Sequence, residues 1–310
     1  MLQIDHTHPI FSQNYILATP PIEAFANTIR QWVSATIPGG MIYGNTRVGK
    51  TYAIDYVIDN AKNIFGYSVP VIKVTWHKNS KMTEKQFYQR ILSELNHAFT
   101  QGNLTIRLEN RVIDYFESLV SKSPGSSIIL FIDEAHWLTP NDFGGFCHIY
   151  NRLKTRKIQL YTFLVGDPRI LETRTTFKQT EDTQFIGRFL WSDYAFEQLD
   201  SKDDLAFVLE GYDLYTDYPK DSGHSYVYYF LPKAFSNGWR LATCAPMIWK
   251  NYLFARRKVG PANKKVMPMQ ACTILVTRLL VILSRRDSPD LEITREDIDN
   301  AVSMIVHLDS

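Results

Sequence analysis

Eight consecutive residues have the types and spacing of a loop that surrounds phosphate groups. They fit the pattern GxxxxGK[ST], and they are Gly44-Asn45-Thr46-Arg47-Val48-Gly49-Lys50-Thr51. Glycines let the backbone N–H groups of such a loop face an anion, and the following helix presents its positive dipole end to the same anion. We expect the ammonium of Lys50 to reach the β- and γ-phosphates and the hydroxyl of Thr51 to bind Mg²⁺. The loop therefore predicts binding of ATP with Mg²⁺.

Two acids follow an apolar run further along the chain. Asp133 and Glu134 come directly after Ile128-Ile129-Leu130-Phe131-Ile132. Hydrolysis of ATP needs a carboxylate that anchors the metal and a base that polarises the attacking water. We expect Asp133 to bind Mg²⁺ and Glu134 to act on the water. Since many strands end in acids, the pair indicates this chemistry only together with the phosphate loop.

Two arginines are candidates for contacts with the transferred phosphate. Arg188 follows the fourth predicted strand, from where it could reach the nucleotide of a neighbouring subunit as an arginine finger. The alternative is a surface arginine paired with Glu181 or Asp182. Arg240 starts a predicted helix in the C-terminal part and could contact the γ-phosphate. Its alternative is a helix-terminal arginine on the surface.

The elements that must position these residues alternate between short apolar runs and helical stretches from residue 40 to 167. Such alternation predicts an α/β fold with a mostly parallel sheet flanked by helices. Strands are predicted at residues 41–43, 69–76, 128–132 and 159–165. Helices are predicted at residues 51–65, 83–98, 107–120 and 142–155. The unbroken apolar run at 128–132 indicates a central strand that is covered on both faces.

A change of pattern after residue 199 predicts two domains. Residues 1–199 are expected to form a nucleotide-binding core with an N-terminal extension, and residues 200–310 a smaller helical domain. Thr294-Arg295-Glu296-Asp297 has capping-box spacing and predicts the last helix. Residues 271–283 are apolar but too short for a membrane span, and we interpret them as a buried helix.

Composition excludes several classes of protein. With 34 basic and 32 acidic residues the formal net charge is +2, so any contact with nucleic acid must come from a local cluster. Three scattered cysteines without a CxxC motif argue against a disulfide framework and against a zinc site. The first ten residues show no export signal, so a cytoplasmic protein is expected.

The order of these motifs resembles the AAA+ ATPases. Within them the chain is similar to the TniB/TnsC regulators of transposition, which are related to MuB and to ExeA-type ATPases. The resemblance covers residues 20–305 in organisation, and the two Walker motifs are its specific part. It implies an AAA+ core followed by a helical lid, with Lys50 and Thr51 as Walker A and Asp133 and Glu134 as Walker B. It further implies that Arg188 is the finger and that Arg240 is the sensor 2 arginine.

One departure from the family pattern lies at the end of the fourth strand. The family usually offers a neutral polar side chain there, which orients the water, whereas this chain has Gly166-Asp167. If Asp167 takes that position, its charge lies near the γ-phosphate. We therefore expect Asp167 to contact the nucleotide and hydrolysis to be slow.

A basic cluster follows the second predicted strand. It contains Lys78 and Lys81, with Lys85 on the next helix. The resemblance implies that this region grips the backbone of duplex DNA, because lysines on phosphates give affinity that is independent of sequence. An ordinary solvated loop is the alternative. Two other basic stretches compete for the role, at residues 154–157 and at residues 256–258 with 264–265.

The resemblance also implies partners. They are double-stranded DNA, a TnsB-like transposase, a TniQ-like target-selection protein and further copies of the chain in a ring or filament, with no membrane. ATP would stabilise the oligomer on DNA and hydrolysis would disassemble it. A nucleotide-switch assembly ATPase of STAND-like type without DNA contact is an alternative. A helicase-loader or replication-initiator relative is another, and it would prefer single strands or an origin sequence.

Overall fold

The chain forms two compact units in a computed structural model that describes residues 5–78, 82–102, 104–259 and 265–306. One unit, called here the α/β unit, comprises Ala24–Thr46 and Lys50–Phe196. The other, called the helical unit, comprises Met1–Glu23, Arg47–Gly49 and Glu197–Ser310. The N-terminal segment, which we expected to extend the core, therefore groups with the helical unit instead.

A sheet of five parallel strands forms the centre of the α/β unit. The strands are β1 (Gly39–Tyr43), β2 (Val71–Thr75), β3 (Ser127–Asp133), β4 (Gln159–Gly166) and β5 (Ser192–Ala195). Their order is β2-β3-β4-β1-β5. Strand β4 therefore lies between β1 and β3, with Leu164 paired to Met41 on one side and to Ile132 on the other. Because parallel strands end at the same edge of a sheet, the segments after β1, β3 and β4 emerge side by side.

The helices of the α/β unit surround this sheet. They are α2 (Pro20–Ser34), which begins in the helical unit, and then α3 (Lys50–Asp59), α4 (Ala61–Phe65), α5 (Glu84–Glu94), α6 (Thr105–Val120), α7 (Pro140–Thr155), α8 (Ile170–Gln179) and α9 (Thr183–Phe189). A short 3₁₀ helix of the α/β unit lies at Ala135–Trp137. The helical unit contains α1 (Pro9–Ser12). The predicted helix at 51–65 is interrupted at Asn60, and the one predicted to reach residue 98 ends at Glu94. Strand β5 and helices α8 and α9 were not predicted.

Burial explains why the central strand was recognisable. The five residues from Ile128 to Ile132 are at most 1% exposed, as expected for a strand covered on both faces. The N-terminus of α5 is also as predicted, because the hydroxyl of Thr83 accepts a hydrogen bond from the N–H of Gln86 and the Gln86 side chain bonds back. Both predictions are confirmed.

The helical unit continues with α10 (Lys202–Leu214), α11 (Tyr226–Phe230), α12 (Pro232–Ser236), α13 (Ala245–Val259), α14 (Met269–Ser284) and α15 (Arg295–Val302), with a 3₁₀ helix at Leu241–Cys244. Helix α14 contains the apolar run at 271–283 and is buried in the core of this unit, as predicted. The capping box at the start of α15 is confirmed, since the Asp297 carboxylate accepts from the N–H of Thr294 at 2.7 Å. Among the described helices, none has the length and hydropathy that crossing a bilayer requires.

His8 attaches the N-terminal segment to the core of the helical unit. Its side chain is fully buried, its Nδ1 accepts from the N–H of Ile10 at 3.1 Å, and its ring lies 4.2 Å from the ring of Tyr218 and 4.5 Å from that of Tyr226. Burial lowers the pKa of His8 to about 4, and the carboxylate of Asp5 opposes this effect. The imidazole is therefore neutral, with Nδ1 as an acceptor and its proton on Nε2, which has no partner among the described residues.

The lowered pKa predicts a specific loss of stability in acid. Between pH 6.5 and about 4 the unfolded chain binds a proton at His8 that the folded chain does not, so the stabilisation is complete above pH 6.5 and falls as the pH drops. The full effect is on the order of 3 kcal/mol. We expect His8→Asn, which keeps an acceptor for the N–H of Ile10 but does not titrate, to flatten the pH dependence of the unfolding midpoint in this range. Parallel profiles for the variant and the parent would contradict the assignment.

Candidate nucleotide site

The phosphate loop begins where β1 ends. The N–H of Gly44 donates to the carbonyl of Gly166 at 3.2 Å, which joins the loop to the end of β4. Within the loop Arg47 has φ of 66° and Gly49 has φ of 108°. A side chain at Gly49 would be strained in that conformation, so the glycine of the motif is required by the turn. The loop then enters α3 at Lys50, which directs the first N–H groups of that helix toward it.

Lys50 is held inside this loop. The residue is 8% exposed, and its Nζ donates to the carbonyls of Gly44 and Asn45, both at 2.7 Å. Burial lowers the pKa of the ammonium, while the carboxylates of Glu134, Asp133 and Asp167 oppose this effect. The sequence-predicted lysine and three acids are thus close enough to interact.

Two oxygens with the chemistry of magnesium ligands lie in contact beside the loop. The hydroxyl of Thr51 donates to Oδ2 of Asp133 at 2.7 Å, and Asp133 is 3% exposed. Hydroxyl and carboxylate oxygens are ligands that Mg²⁺ takes together with phosphate oxygens. These residues fit a nucleotide-bound magnesium ion, and they are the two that the sequence assigned to it.

Glu134 has an unusual backbone conformation. Its φ of 56° and ψ of 33° are left-handed, and its N–H donates to Oδ1 of Asp133 at 3.0 Å. A non-glycine residue in this region costs of order 1–3 kcal/mol. The side chain is 46% exposed, in contrast to the buried Asp133. The turn thus separates the adjacent acids, one toward the loop and one toward solvent.

His136 is a residue of this site that the sequence analysis did not single out. Its side chain is 4% exposed, and its Nδ1 accepts from the N–H of Asp167 at 3.3 Å. The proton of the neutral ring is then on Nε2, which lies 3.5 Å from both Glu134 Oε2 and Asp167 Oδ2. Burial lowers the pKa of His136, and the carboxylates of Asp167 and Glu134 oppose this. The imidazole thus links the end of β3 with the end of β4.

Gly166 makes room for this histidine. A Cβ at Gly166 would lie 3.1 Å from the backbone N and 3.2 Å from Nδ1 of His136. The next residue, Asp167, is bonded by Arg169, whose Nε donates to its Oδ2 at 2.9 Å. Although burial favours the neutral acid, these hydrogen bonds hold the pKa of Asp167 below its usual value. The departure from the family pattern is therefore a compensated carboxylate, and its contact with nucleotide stays a prediction.

Trp137 connects this region with the loop after β2. The guanidinium of Arg169 lies 4.8 Å from the Trp137 ring and Nζ of Lys78 lies 5.3 Å from it. Lys78 is exposed and Lys85 is half-buried on α5. Lys81 lies outside the described residues. One of the predicted DNA contacts is thus adjacent to the side chains that hold Asp167.

The two candidate arginines have different surroundings. In α9, Arg188 donates to the carbonyl of Gln184 at 2.9 Å, and its guanidinium lies 5.5 Å from the ring of Tyr150. No carboxylate within the described ranges forms an ion pair with it, so the alternative of pairing with Glu181 or Asp182 does not occur. Arg240 donates to the carbonyls of Phe235 and Trp239 and lies 3.7 Å above the Phe235 ring. It precedes a 3₁₀ helix that leads into α13.

Comparison with known proteins agrees with this geometry. Residues 38–174 match the family model described as AAA domain. The fold is similar to ORC2 of Aeropyrum pernix, solved as ADPNP–ADP complexes, with a TM-score of 0.60 and 11% identity over 98% of this chain and 72% of that chain. It is also similar to Cdc6p of Pyrobaculum aerophilum, with a TM-score of 0.59 and 12% identity over the same shares. A search of curated proteins found no match.

These findings confirm the predicted fold class. The chain has an AAA+ fold, with a five-stranded parallel sheet flanked by helices and a helical C-terminal region. At 11–12% identity the similar structures show the fold alone. The closer relationship with TniB/TnsC proteins stays a prediction.

The contacts of His136 predict its effect on turnover. We expect His136→Ala to lower kcat for ATP hydrolysis roughly tenfold with little change in KM, because Glu134 loses the N–H that positions it. His136→Gln retains an N–H near the Nε2 position and is expected to restore most of the rate, whereas the shorter His136→Asn is not. Glu134→Gln is expected to lower kcat at least a hundredfold. Equal rates for the alanine and glutamine variants would remove the positioning role.

Proposed function

We propose that this protein is an AAA+ ATPase that binds duplex DNA in its ATP-bound form and regulates DNA transposition. ATPase activity is supported by one observation, the hydrogen bond from the Thr51 hydroxyl to Asp133 at 2.7 Å. The buried ammonium of Lys50 lies beside these two residues. It supports one site made from the two Walker motifs. DNA binding and transposition rest on the order of motifs and on the basic cluster after β2.

In this mechanism each step is carried out by a residue of the chain. The Lys50 ammonium and the loop N–H groups bind the β- and γ-phosphates and neutralise charge as it develops. Glu134 orients the attacking water and accepts its proton, while His136 keeps the carboxylate in place. Thr51 and Asp133 would hold Mg²⁺, which supplies Lewis-acid charge when bound. Gly166-Asp167 stands at the end of β4, where a neutral polar side chain would orient the water, so slow hydrolysis is part of the proposal.

Arg188 is proposed as the finger that acts on the nucleotide of a neighbouring subunit. Its guanidinium bonds to neutral oxygens of Gln184 and Asn151, so its charge is not neutralised by an acid among the described residues. An arginine that contacts a γ-phosphate in trans needs such an uncompensated charge. Gly39 supports its position, because a Cβ there would lie 2.3 Å from the Arg188 carbonyl and would push α9 from the sheet.

Mixed subunits test this assignment. We expect Lys50→Ala to abolish ATP binding, and Arg188→Ala to retain ATP binding but hydrolyse slowly. In a mixture, an Arg188→Ala subunit holds ATP and a Lys50→Ala neighbour supplies the arginine, so ATPase activity should rise above that of either variant alone. Activity that is only the average of the two would indicate a surface arginine. Lys178→Ala, which removes another cation from the same region, provides the control.

DNA binding is proposed for the loop after β2. Lys78 is exposed and Lys85 follows on α5, while Lys81 between them completes the cluster in sequence. Lysines at such positions neutralise phosphates without reading bases, and the affinity then falls steeply with salt. The contacts of Lys78 and Arg169 with Trp137 support coupling between DNA and the nucleotide site.

A role in transposition is the most specific part of the proposed function. An oligomer on DNA would link a TniQ-like target-selection protein to a TnsB-like transposase, and hydrolysis would release it. The resemblance to TniB/TnsC proteins supports this role. It is tested by scoring insertions when the protein is supplied with such partners, with Glu134→Gln expected to hold the oligomer on DNA.

A replication-initiator function is the second candidate. It is favoured by the similarity of the fold to ORC2 and Cdc6p across 98% of the chain. An initiator would prefer an origin sequence, whereas a transposition regulator would accept random duplexes equally. Competition between unrelated duplexes of equal length separates the two candidates.

The DNA contact yields a direct prediction. With ATP present, we expect the protein to bind random duplex DNA with salt-sensitive affinity, and Lys78→Glu/Lys85→Glu to weaken that binding about tenfold or more. Lys62→Glu/Lys122→Glu makes the same charge change elsewhere in the α/β unit and serves as the control. Fluorescence anisotropy of labelled duplex measures both. Absence of ATP-dependent binding by the parent protein would contradict the DNA role and leave an assembly ATPase without DNA contact.

A further inference from the structure

The positive charge of the chain is concentrated in one segment of the helical unit. Residues 222–286 contain eleven lysines and arginines and no aspartate or glutamate. Because the whole chain has a formal net charge of only +2, the remainder is acidic overall. A segment of 65 residues with one sign of charge produces a local field that the composition of the chain conceals.

Helix α13 lies in this segment and has two distinct faces. One face belongs to the core of the helical unit through Ile248 and Tyr252, which are fully buried. On the other, Lys250, Phe254 and Arg257 follow one another at helical spacing and form a single stripe. The stripe borders a groove of about 470 Å³. The groove is lined by Met247, Lys250, Asn251, Leu253, Phe254, Arg257 and Arg295.

The cations of this groove form few ion pairs with carboxylates among the described residues. Lys250 and Arg257 are exposed, and neither forms an ion pair with a carboxylate in the described part of the chain. Among the described residues, Arg295 forms one ion pair, at 3.5 Å with the exposed Asp299 on its own helix. The neighbouring Arg256 differs, since it donates to a backbone carbonyl at 2.7 Å and so has a structural role. Three charges therefore converge on the groove with little compensation.

Asn251 provides an independent indication of a ligand. The residue is 8% exposed, lines the groove, and its Nδ2 has no acceptor within the described residues. A buried amide donor without an acceptor is unfavourable. Asn251 therefore has hydrogen-bonding capacity beside the groove that the described residues leave unused.

An aromatic ring completes the groove. Phe254 is 47% exposed, with Nζ of Lys258 4.4 Å and the guanidinium of Arg295 6.0 Å from the ring centre. The ring face attracts both cations and keeps them at the edge of the groove. The exposure of this large apolar side chain has no explanation in the packing of the unit.

The hydrogen-bonding character of the groove identifies the ligand. Lys250, Arg257 and Arg295 are donors only, and the buried Asn251 atom that lacks a partner, Nδ2, is also a donor. A peptide backbone presents as many donors as acceptors, whereas a phosphodiester backbone presents acceptors only. The groove therefore matches nucleic-acid phosphate better than an acidic polypeptide.

We propose that this basic groove on α13 binds the phosphate backbone of duplex DNA, as a second contact in addition to the loop after β2. The proposal rests on the DNA binding put forward above and assigns part of it to the helical unit. Neutralisation of phosphates by Lys250 and Arg257 releases counterions, so each contact adds roughly 0.9 to the slope of log affinity against log salt concentration.

Charge reversal in the groove tests this proposal. The variant is Lys250→Glu/Arg257→Glu in the full chain with ATP, and the probe is a short random-sequence duplex over a series of salt concentrations. We expect affinity to fall about tenfold or more and the salt slope to fall by about two. The matched control, Lys220→Glu/Lys233→Glu, changes the charge of the same unit by the same amount outside the groove and is expected to retain the slope. Unchanged ATP binding and unfolding midpoint verify that each variant is folded.

The possible outcomes separate this proposal from the proposed function. If the groove variant binds like the parent while Lys78→Glu/Lys85→Glu fails, DNA binding stands and the groove proposal is overturned. Equal losses in the groove variant and its control would also overturn it, because net charge alone would then explain the effect. If the parent does not bind duplex DNA at any salt concentration, the proposed DNA role and the groove proposal fail together. Binding of polyglutamate in place of the duplex would assign the groove to an acidic protein.

Discussion

A buried ammonium surrounded by carboxylates is the constraint on which the nucleotide site depends. Lys50 is 8% exposed, and burial of a lysine favours its neutral form unless acids oppose this. Those acids come from the ends of β3 and β4, and the sheet order sets where they emerge. Since β4 lies between β1 and β3, the phosphate loop and the acids Asp133 and Glu134 flank one strand. The parallel sheet is thus what brings residues distant in sequence to one lysine.

The same arrangement explains which parts of the molecule could be predicted. Consecutive residues define both the phosphate loop at Gly44–Thr51 and the apolar run at Ile128–Ile132. The sequence alone therefore indicates strand, turn and helix at these places. Strand β5 has no such pattern, because Ser192–Ala195 is a half-exposed edge strand with an acid within it. Its position is determined by pairing with β1, which local sequence does not encode. The N-terminal segment is similar, since His8 packs against Tyr218 and Tyr226, far away in the chain.

Within the site, individual residue types were predictable but their contacts were not. Asp133 and Glu134 are adjacent in sequence, yet one is 3% exposed and the side chain of the other is 46% exposed, because the turn at Glu134 is left-handed. His136 follows them by two residues and was visible in the sequence, but its position between two carboxylates depends on Gly166 in another strand. Arg169 donates to Asp167 only two residues away, so the acid at the end of β4 is a compensated carboxylate and not a free negative charge.

The distribution of charge separates the roles of the arginines and lysines further. Arg240 and Arg256 donate to backbone carbonyls, so their guanidinium groups stabilise the fold of the helical unit. Lys250 and Arg257 have no such partner among the described residues, and the remainder of the chain outside residues 222–286 is acidic overall. An acidic remainder repels phosphate, so an attractive surface must be confined to a local cluster. Two separate clusters, after β2 and along α13, would divide the phosphate contacts between two units of one chain.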